Sequence, residues 1–352
     1  MPKEDYDLFT VIAQSTQVKL KKMLYKILKR HYTNIENTQD YILAKGDIPI
    51  ALVAHMDTVF KLPPEKIYFD RSEGVMWSPD GLGADDRAGV FLILKILQNV
   101  KKDKKPTIIF TTDEECGCIG ATELVADFQT VPYDLKYIIQ LDRRGKIDCV
   151  FYDDINEEFE KYVESFGFES NWGTLSDISI ICPSWGVSGV NLSVGYEDEH
   201  QEIETLHIKY LYLTLQKVLM MLNDVDNAQY FKYEGSTSCS QWWRYGTRWG
   251  NASYWYDDED DDWVTPYSCE NSKSSETVYC NGCHKPLTKA IAIRAKDQYK
   301  IYHYYCGKCA SDMVDWCDTC GAAFVNPNQA WNHTCADCVA KAWENNEDGN
   351  TV

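Results

Sequence analysis

The sequence lacks long apolar stretches and an excess of positive charge. No run of eighteen apolar residues occurs, so we expect no transmembrane helix, and the N-terminus MPKEDYDLFT is too polar for a signal peptide. Only 35 Lys and Arg residues face 54 Asp and Glu residues, which gives a formal net charge of −19. Nucleic-acid binding depends on cationic contacts to phosphate. These absences predict a cytoplasmic protein that binds neither membranes nor nucleic acids.

Fourteen cysteines are distributed unevenly along the chain. Eight of them form four Cys-x-x-Cys pairs between Cys280 and Cys338, while the other six are scattered, mostly in apolar or Gly-rich surroundings. In a reducing compartment this spacing is typical of metal sites rather than of a disulfide framework. We therefore expect a zinc module near the C-terminal end and buried or incidental thiols elsewhere.

Short apolar segments alternate with amphipathic segments up to about Leu222. Asp5 to about His31 is predicted as one helix with an apolar face. The alternation predicts an α/β fold, in which a mixed, mostly parallel central sheet lies between helices. The segments typical of strands are YILA, PIALVAH, TIIFTT, KYIIQLD and CVFY, and those typical of helices are VFLILKILQNV, EEFEKYVESFGF and HIKYLYLTLQKVLMML.

The same pattern divides the chain into four predicted regions. Residues 1–222 form the α/β domain, and residues 223–275 form an acidic, aromatic-rich linker with six consecutive carboxylates at 257–262. The zinc module occupies residues 276–340, and residues 341–352 form an acidic tail. Because the linker also contains several tryptophans, the alternative is that part of it packs on a neighbouring domain.

Five clusters of acidic and imidazole residues follow predicted strands or lie in the loops after them. In an open α/β sheet such loops lie at one edge of the sheet and can converge on one site. A single His or Asp at a strand end is usually a structural, hydrogen-bonded residue, but five clusters in series are difficult to explain in that way. The clusters are HMDTV, GLGADDRAGV, TTDEECGCIGA, LDRRG and NLSVGYEDEHQEIE.

These residue types suit a pair of zinc ions. Two neighbouring ions need a bridging carboxylate with His and carboxylate ligands on either side, and they polarise a carbonyl and activate a shared water. A further carboxylate must carry the proton from that water to the leaving group. The adjacent acids Glu114 and Glu115 suit this division between base and ligand. Asp57, two residues after His55 on an extended segment, can hold the second imidazole nitrogen.

At these residues the sequence resembles the co-catalytic zinc exopeptidase clan, which includes peptidase T-like tripeptidases, carboxypeptidase G-type enzymes and compact zinc aminopeptidases. HMDTV is similar to the clan's His-x-Asp-x-Val motif, GADDRAG to its bridging-Asp motif, and DEE to its base and ligand pair. His200 and Glu204 match its closing His-x-x-x-Glu motif. The resemblance covers about residues 1–222.

The resemblance implies a role for each matching residue. Asp85 bridges two catalytic zinc ions, and it is followed by a cis peptide bond to Asp86. Glu114 is the general base, and Asp57 is the partner of a ligand. The implied ligands are His55, Asp85 and Asp142 for one zinc ion, and Asp85, Glu115 and His200 for the other.

The chain departs from many clan members in the segment before the last ligand. Only 57 residues separate Asp142 from His200, and helix and strand patterns occupy them, so we expect no lid domain. Asp177, in a polar loop, is left open between a functional and a structural role. His207, on an amphipathic helix, is predicted to be structural.

The eight paired cysteines are predicted to hold two further, structural zinc ions in a double zinc ribbon. The simple grouping has two sequential sets, although spacing alone also allows an interleaved arrangement. From Lys273 to Ala340 the chain has seven Lys and Arg residues against six Asp and Glu residues, so the module lacks a basic footprint and could instead bind a protein partner. The sequential sets are Cys280, Cys283, Cys306 and Cys309, followed by Cys317, Cys320, Cys335 and Cys338.

Three functions remain open at this point. The leading hypothesis is a zinc-dependent, aminopeptidase-like hydrolase of small peptides that uses Glu114. The second is an N-acyl amino acid or amide deacylase with the same two-zinc centre. The third is a degenerate hydrolase that acts as a binding module through its zinc ribbons, which is disfavoured because every implied ligand and the base are present.

Overall fold

The structure is a computed structural model, which describes residues 1–235, 277–288, 292–297, 301–317, 319–320, 322–326, 334–335 and 338. Most of the linker expected from the sequence, from residue 236 onward, and the acidic tail lie outside the described residues. Within the described part of the chain, no helix combines the length and apolar character needed to cross a membrane.

Eight helices and eighteen strands are defined in the described residues. The helices are α1 (Lys3–Ala13), α2 (Gln17–Leu28), α3 (Ala84–Asn99), α4 (Ile119–Asp127), α5 (Glu157–Glu164), α6 (Asp177–Trp185), α7 (Ile208–Asn223) and α8 (Gly307–Met313). The strands of the first part are β1 (Ile35–Asn37), β2 (Tyr41–Ala44), β3 (Ile50–His55), β4 (Tyr68–Asp70), β5 (Val75–Trp77), β6 (Thr107–Thr111), β7 (Tyr137–Arg143), β8 (Asp148–Val150), β9 (Glu169–Ser170), β10 (Gly189–Ser193), β11 (Tyr196–Glu197) and β12 (Thr205–His207). Those of the C-terminal part are β13 (Thr277–Tyr279), β14 (Pro286–Thr288), β15 (Ile293–Lys296), β16 (Tyr302–Tyr305), β17 (Val314–Trp316) and β18 (Ala323–Val325).

An eight-stranded sheet forms the centre of the first part, in the order β1-β2-β6-β3-β7-β10-β8-β9. Its four middle strands, β6, β3, β7 and β10, run parallel, whereas β2 and β8 are antiparallel to their inner neighbours. The mixed α/β fold expected from the sequence is therefore confirmed. A parallel centre matters for function, because it brings the carboxyl ends of β3, β6 and β7 to one edge.

Helices cover both faces of this sheet, and β3 shows how the sequence divides between them. Successive side chains of a strand point to opposite faces. Leu52 and Ala54 pack in the core under α1, α3 and α7, while Ala51 and Val53 pack in the core under α4 and α6. All six residues of β3 are buried, which explains why the strand is a continuous apolar run rather than an alternating one.

The N-terminal helix expected over Asp5–His31 is instead two helices, so that prediction was wrong in extent. Thr16 has extended backbone angles (φ −64°, ψ 155°), and its hydroxyl accepts a hydrogen bond from the Lys19 N–H at 3.4 Å. A threonine that caps the second helix in this way ends the first one. Leu20 and Leu24 are still fully buried against the body, so the apolar face itself was identified.

The segment between Asp142 and His200 belongs entirely to this body. It supplies β8, β9 and β10 to the main sheet, α6 to one helix layer, and α5 beside β9. Strands β4, β5, β11 and β12 form a second, antiparallel sheet of four strands. Residues 143–199, all of which are described, contain no inserted lid domain, as expected from the sequence.

Residues 225–235, which the sequence analysis assigned to the linker, pack on the α/β body. Phe231 is 5% exposed, and its ring lies 4.9 Å from that of Phe159 and 5.3 Å from that of Tyr162. Its backbone N–H donates to the Lys136 carbonyl at 2.9 Å, and its carbonyl accepts from Ser188 N–H at 3.0 Å. The body therefore extends about a dozen residues beyond α7.

The cysteine-rich part packs against the outer surface of α7, through α8 and β17. The two backbones touch at Gly167 and Gly307, where a Cβ on Gly307 would lie 2.5 Å from the Gly167 Cα. Lys308 Nζ forms an ion pair with Glu169 Oε1 at 3.0 Å. Farther along, Thr319 and Cys320 border a cavity that is also lined by Lys95 and other residues at the end of α3.

We predict that Phe231→Ala lowers the free energy of unfolding of the body by about 3–4 kcal/mol, because it leaves a cavity among three aromatic rings. Urea unfolding followed by circular dichroism measures this loss. The matched control is Tyr230→Ala, since Tyr230 is 56% exposed and should cost about 1 kcal/mol or less. Equal effects of the two substitutions would contradict the packing of residues 225–235 on the body.

Candidate metal centre

His55, the last residue of β3, lies among three carboxylates. Its Nε2 is 3.1 Å from Asp85 Oδ1 and 3.5 Å from Asp142 Oδ1, and its Nδ1 is 3.2 Å from Asp57 Oδ1. The imidazole is 1% exposed. Burial by itself lowers the pKa of His55, but the carboxylates of Asp142 and Asp57 raise the pKa well above its ordinary value.

Asp85 joins this group to a second one. Its Oδ1 faces His55, while its Oδ2 is 3.2 Å from Nε2 of His200. The same His200 nitrogen is 3.1 Å from Glu115 Oε2. One carboxylate therefore lies between two sets of ligand-type atoms. The structure brings together all five residues that the resemblance implied as ligands of the catalytic ions.

Glu204 fixes the backbone at Asp85 through hydrogen bonds. The two carboxylate oxygens of Glu204 accept hydrogen bonds from the N–H groups of Ala84 and Asp85, each at 3.0 Å. A cis peptide bond joins Asp85 to Asp86, as the resemblance implied. Asp86 also lies near His55 and Asp142, but its oxygens accept backbone N–H groups, from His55 at 3.2 Å and from Gly89 at 2.9 Å. We therefore interpret Asp86 as structural.

Asp57 connects the two ligand groups. One of its oxygens faces His55 Nδ1, and the other accepts the backbone N–H of Glu115 at 3.0 Å. Burial would raise the pKa of Asp57, but His55 and the backbone N–H groups of Glu115 and Glu114 lower it. An ionised Asp57 thus orients one imidazole and the loop that carries Glu114.

Asp142, on β7, has partners that the sequence analysis did not identify. Its Oδ2 accepts hydrogen bonds from Ser176 Oγ at 2.8 Å and from Gln140 Nε2 at 3.0 Å. Its backbone N–H donates to Asn191 Oδ1 at 2.9 Å, and its backbone carbonyl accepts from Asn191 Nδ2 at 3.0 Å. Tyr196 OH donates to Oδ1 at 3.3 Å. The only sequence signal for Gln140 was a polar residue inside an apolar strand.

Glu114 lies beside the ligands without pairing with either histidine. Its Oε1 accepts a hydrogen bond from the buried Cys118 thiol at 3.6 Å. Burial raises the pKa of Glu114 to about 9, opposed by His55 and reinforced by Asp142 and Asp177. A carboxyl group in such surroundings is suited to carrying a proton.

Asp177, at the start of α6, lies in the same region but outside both ligand groups. It is fully buried, and Oδ2 accepts a hydrogen bond from Thr111 Oγ1, while Oδ1 has no hydrogen-bond partner among the described residues. Burial raises its pKa to about 7. His207 is at the N-cap position directly before α7, and its Nε2 lies 3.4 Å from Glu197 Oε2 rather than near either ligand group.

The acidic side chains of this centre are better arranged to bind a cation than to pair with one another. Burial, followed by the charge of Asp142, raises the pKa of Asp85 to about 6. Glu115 Oε1 is buried and accepts no hydrogen bond from any described residue. Imidazole and carboxylate oxygens are suitable ligands for zinc and related divalent ions. Bound cations would stabilise the ionised form of these carboxylates, and they would bind the Glu115 oxygen that accepts no hydrogen bond.

The structure also brings the eight paired cysteines of the C-terminal part into two sequential groups. In each group all four sulfur atoms lie within 4.8 Å of one another, which is the arrangement of a closed tetrahedral site. Backbone N–H groups donate to the first sulfur of each set, from Cys306 to Cys280 at 3.3 Å and from Cys335 to Cys317 at 3.2 Å. The interleaved alternative therefore does not occur in the structure.

We predict that Asp57→Asn weakens divalent metal binding at the histidine–carboxylate centre by about 10–100-fold, because His55 and the Glu115 loop lose their anionic acceptor. Competition with a chromophoric chelator measures the affinity. Asp113→Asn is the matched control, since Asp113 is on the same loop but pairs with Gln17. Equal affinity of the wild type and Asp57→Asn would contradict this role.

Comparison with known proteins agrees with this geometry. The model of peptidase family M20/M25/M40 matches residues 51–331. Aminopeptidase PepT from Bacillus cereus ATCC 10987 has a similar fold, with 18% identity, a TM-score of 0.52, and coverage of 63% of this chain and 98% of that chain. A tripeptidase from Staphylococcus aureus subsp. aureus Mu50 has the same identity and coverage and a TM-score of 0.53. No curated protein matches the sequence significantly. The chain therefore belongs to the M20/M25/M40 family of metallopeptidases.

Proposed function

We propose that the protein is a two-zinc aminopeptidase that hydrolyses small peptides, with Glu114 as the group that carries the proton. The observation that carries this proposal is the position of Asp85. Its two carboxylate oxygens face His55 at 3.1 Å and His200 at 3.2 Å, so one carboxylate can serve two ions. Asp142 would complete one ligand set, and Glu115 the other.

Zinc suits these ligands because it accepts imidazole together with carboxylate. A bound pair would polarise the scissile carbonyl and lower the pKa of water toward ~7. The protein side of the reaction then falls to Glu114, which accepts the proton from the attacking water and returns it to the leaving amine. Its neighbour Glu115 points to His200 instead, which supports the division between base and ligand.

The choice of peptides as substrates rests on family membership and on the similarity to two solved structures, an aminopeptidase and a tripeptidase. The side chain of His200 is 51% exposed, so the centre is open to solvent on that side. N-acyl amino acid deacylation would use the same centre. Assays with aminoacyl anilides and with N-acetyl amino acids separate the two activities, and we expect turnover of the anilides.

We further propose that the chain has two functional units, a catalytic body and a double zinc ribbon with structural ions. The ribbon lies on α7 and near the end of α3. Lys95 is ten residues along α3 from Asp85, which corresponds to about 15 Å. The described part of the ribbon therefore leaves the metal centre open, and its outer surface is available to a protein partner.

We predict that Glu114→Gln retains the bound metal but loses about 10²–10⁴-fold in kcat, because general acid–base catalysis is removed. Steady-state assays and metal analysis of the same preparation measure both properties. Glu115→Gln is the paired variant, and it should lose metal because a ligand is removed. Normal turnover by Glu114→Gln would show that another group carries the proton.

We also predict about four zinc ions per chain, of which a chelator removes two quickly. The open centre with carboxylate ligands should release its ions sooner than the closed thiolate sites. Elemental analysis before and after dialysis against a chelator gives both numbers, and Cys306→Ser with Cys335→Ser should lower only the slowly released fraction. Two ions in total, both released slowly, would exclude a two-zinc catalytic centre.

A further inference from the structure

A groove of about 710 Å³ lies between α2 and the turn that joins β1 to β2. Its surface is mainly apolar by area, although most of the residues that line it besides Val18 and Tyr25 are polar or charged. At one end it reaches Thr112 and Asp113, and Asp113 directly precedes Glu114 and Glu115. The groove is thus continuous with the loop that carries the proposed base and one proposed ligand.

Four lysines line this groove: Lys21, Lys22 and Lys26 of α2, and Lys29 directly after it. Lysine stems can cover apolar surface while their amines remain in water, which explains an apolar lining with a basic rim. A basic rim is unusual in a chain with a formal net charge of −19. The average composition of the chain therefore does not explain this basic rim.

The acidic residues of the groove do not neutralise the positive charge of its lysines. Asp40 and Asp113 are the acidic residues of the lining, and both act on Lys21. Asp113 also accepts a hydrogen bond from Gln17 Nε2 at 3.1 Å. Lys22 and Lys26 form no ion pair with any described residue, so their charges are available to an anionic ligand.

The spacing of the lysines fits a peptide. Lys22, Lys26 and Lys29 lie at positions i, i+4 and i+7, on one side of the helix. Seven residues of helix rise about 10 Å, which is the length of about three residues of extended chain. A peptide whose scissile bond lies at the metal centre could therefore extend its leaving side along the groove.

We propose that this groove binds acidic side chains of the substrate on the leaving side of the scissile bond, and that the enzyme prefers acidic peptides for this reason. The inference rests on the proposed function, which supplies the peptide and its orientation. Attraction between exposed charges is screened by salt, so the preference should be strong at low ionic strength and should fade near 0.5 M salt.

The test compares two tetrapeptides, Ala-Ala-Ala-Ala and Ala-Ala-Asp-Glu, with the full-length, zinc-loaded protein. We expect kcat/KM at low salt to favour the acidic peptide, and we expect the double variant Lys22→Gln/Lys26→Gln to reduce this ratio about tenfold, through KM. The control Lys101→Gln/Lys102→Gln removes two exposed lysines after α3 and should preserve the ratio.

A binding measurement tests peptide binding in the groove independently of peptide cleavage. Fluorescence anisotropy of labelled Ala-Ala-Asp-Glu is recorded with the wild type and with both double variants. Weaker binding by Lys22→Gln/Lys26→Gln alone supports the groove even if no peptide is cleaved, in which case only the proposed function fails. Cleavage of both peptides with a ratio that is the same in all three proteins overturns the groove and leaves the proposed function intact.

Discussion

The structure of the centre depends on one constraint, which is that the Asp85 carboxylate must lie between His55 and His200. Two residues meet this constraint from different directions. Glu204 binds the backbone N–H of Asp85, and Asp57 fixes the His55 ring while it holds the loop of Glu115. Buried carboxylates at this density repel one another, and a bound cation would relieve that repulsion.

The sequence predicted which residues lie together at this centre, because most of them follow strands. In a parallel sheet the carboxyl ends of neighbouring strands meet, so the loops after β3, β6 and β7 must converge once the strands are identified. Their residues then lie together without any knowledge of packing. The partners of Asp142 were not predictable in this way. Gln140 and Ser176 meet across β7 and α6, and that contact depends on how a helix packs on a sheet.

The boundaries of the fold were harder to predict than its centre, for two physical reasons. The break between α1 and α2 depends on the N-cap residue Thr16. The apolar residues continue on one face through both helices, so their spacing does not reveal this break. Residues 225–235 have neither helical nor strand periodicity, because they pack through single side chains such as Phe231 rather than through a repeating face. Periodicity detects regular elements, and it misses an irregular segment that one aromatic side chain fixes in place.

The position of the cysteine-rich part follows from the same body. At Gly167 and Gly307 the two parts approach so closely that neither position has room for a Cβ. Lys217, fully buried in α7, donates to the Gly167 carbonyl, and its Nζ lies 4.2 Å from the centre of the Phe168 ring. Burial lowers the pKa of this lysine to about 7. A buried amine needs a defined acceptor, so it fixes the loop that the cysteine-rich part touches. The described residues of this part therefore lie on the helix layer, at α7 and α8, rather than at the edge of the sheet with the candidate metal centre.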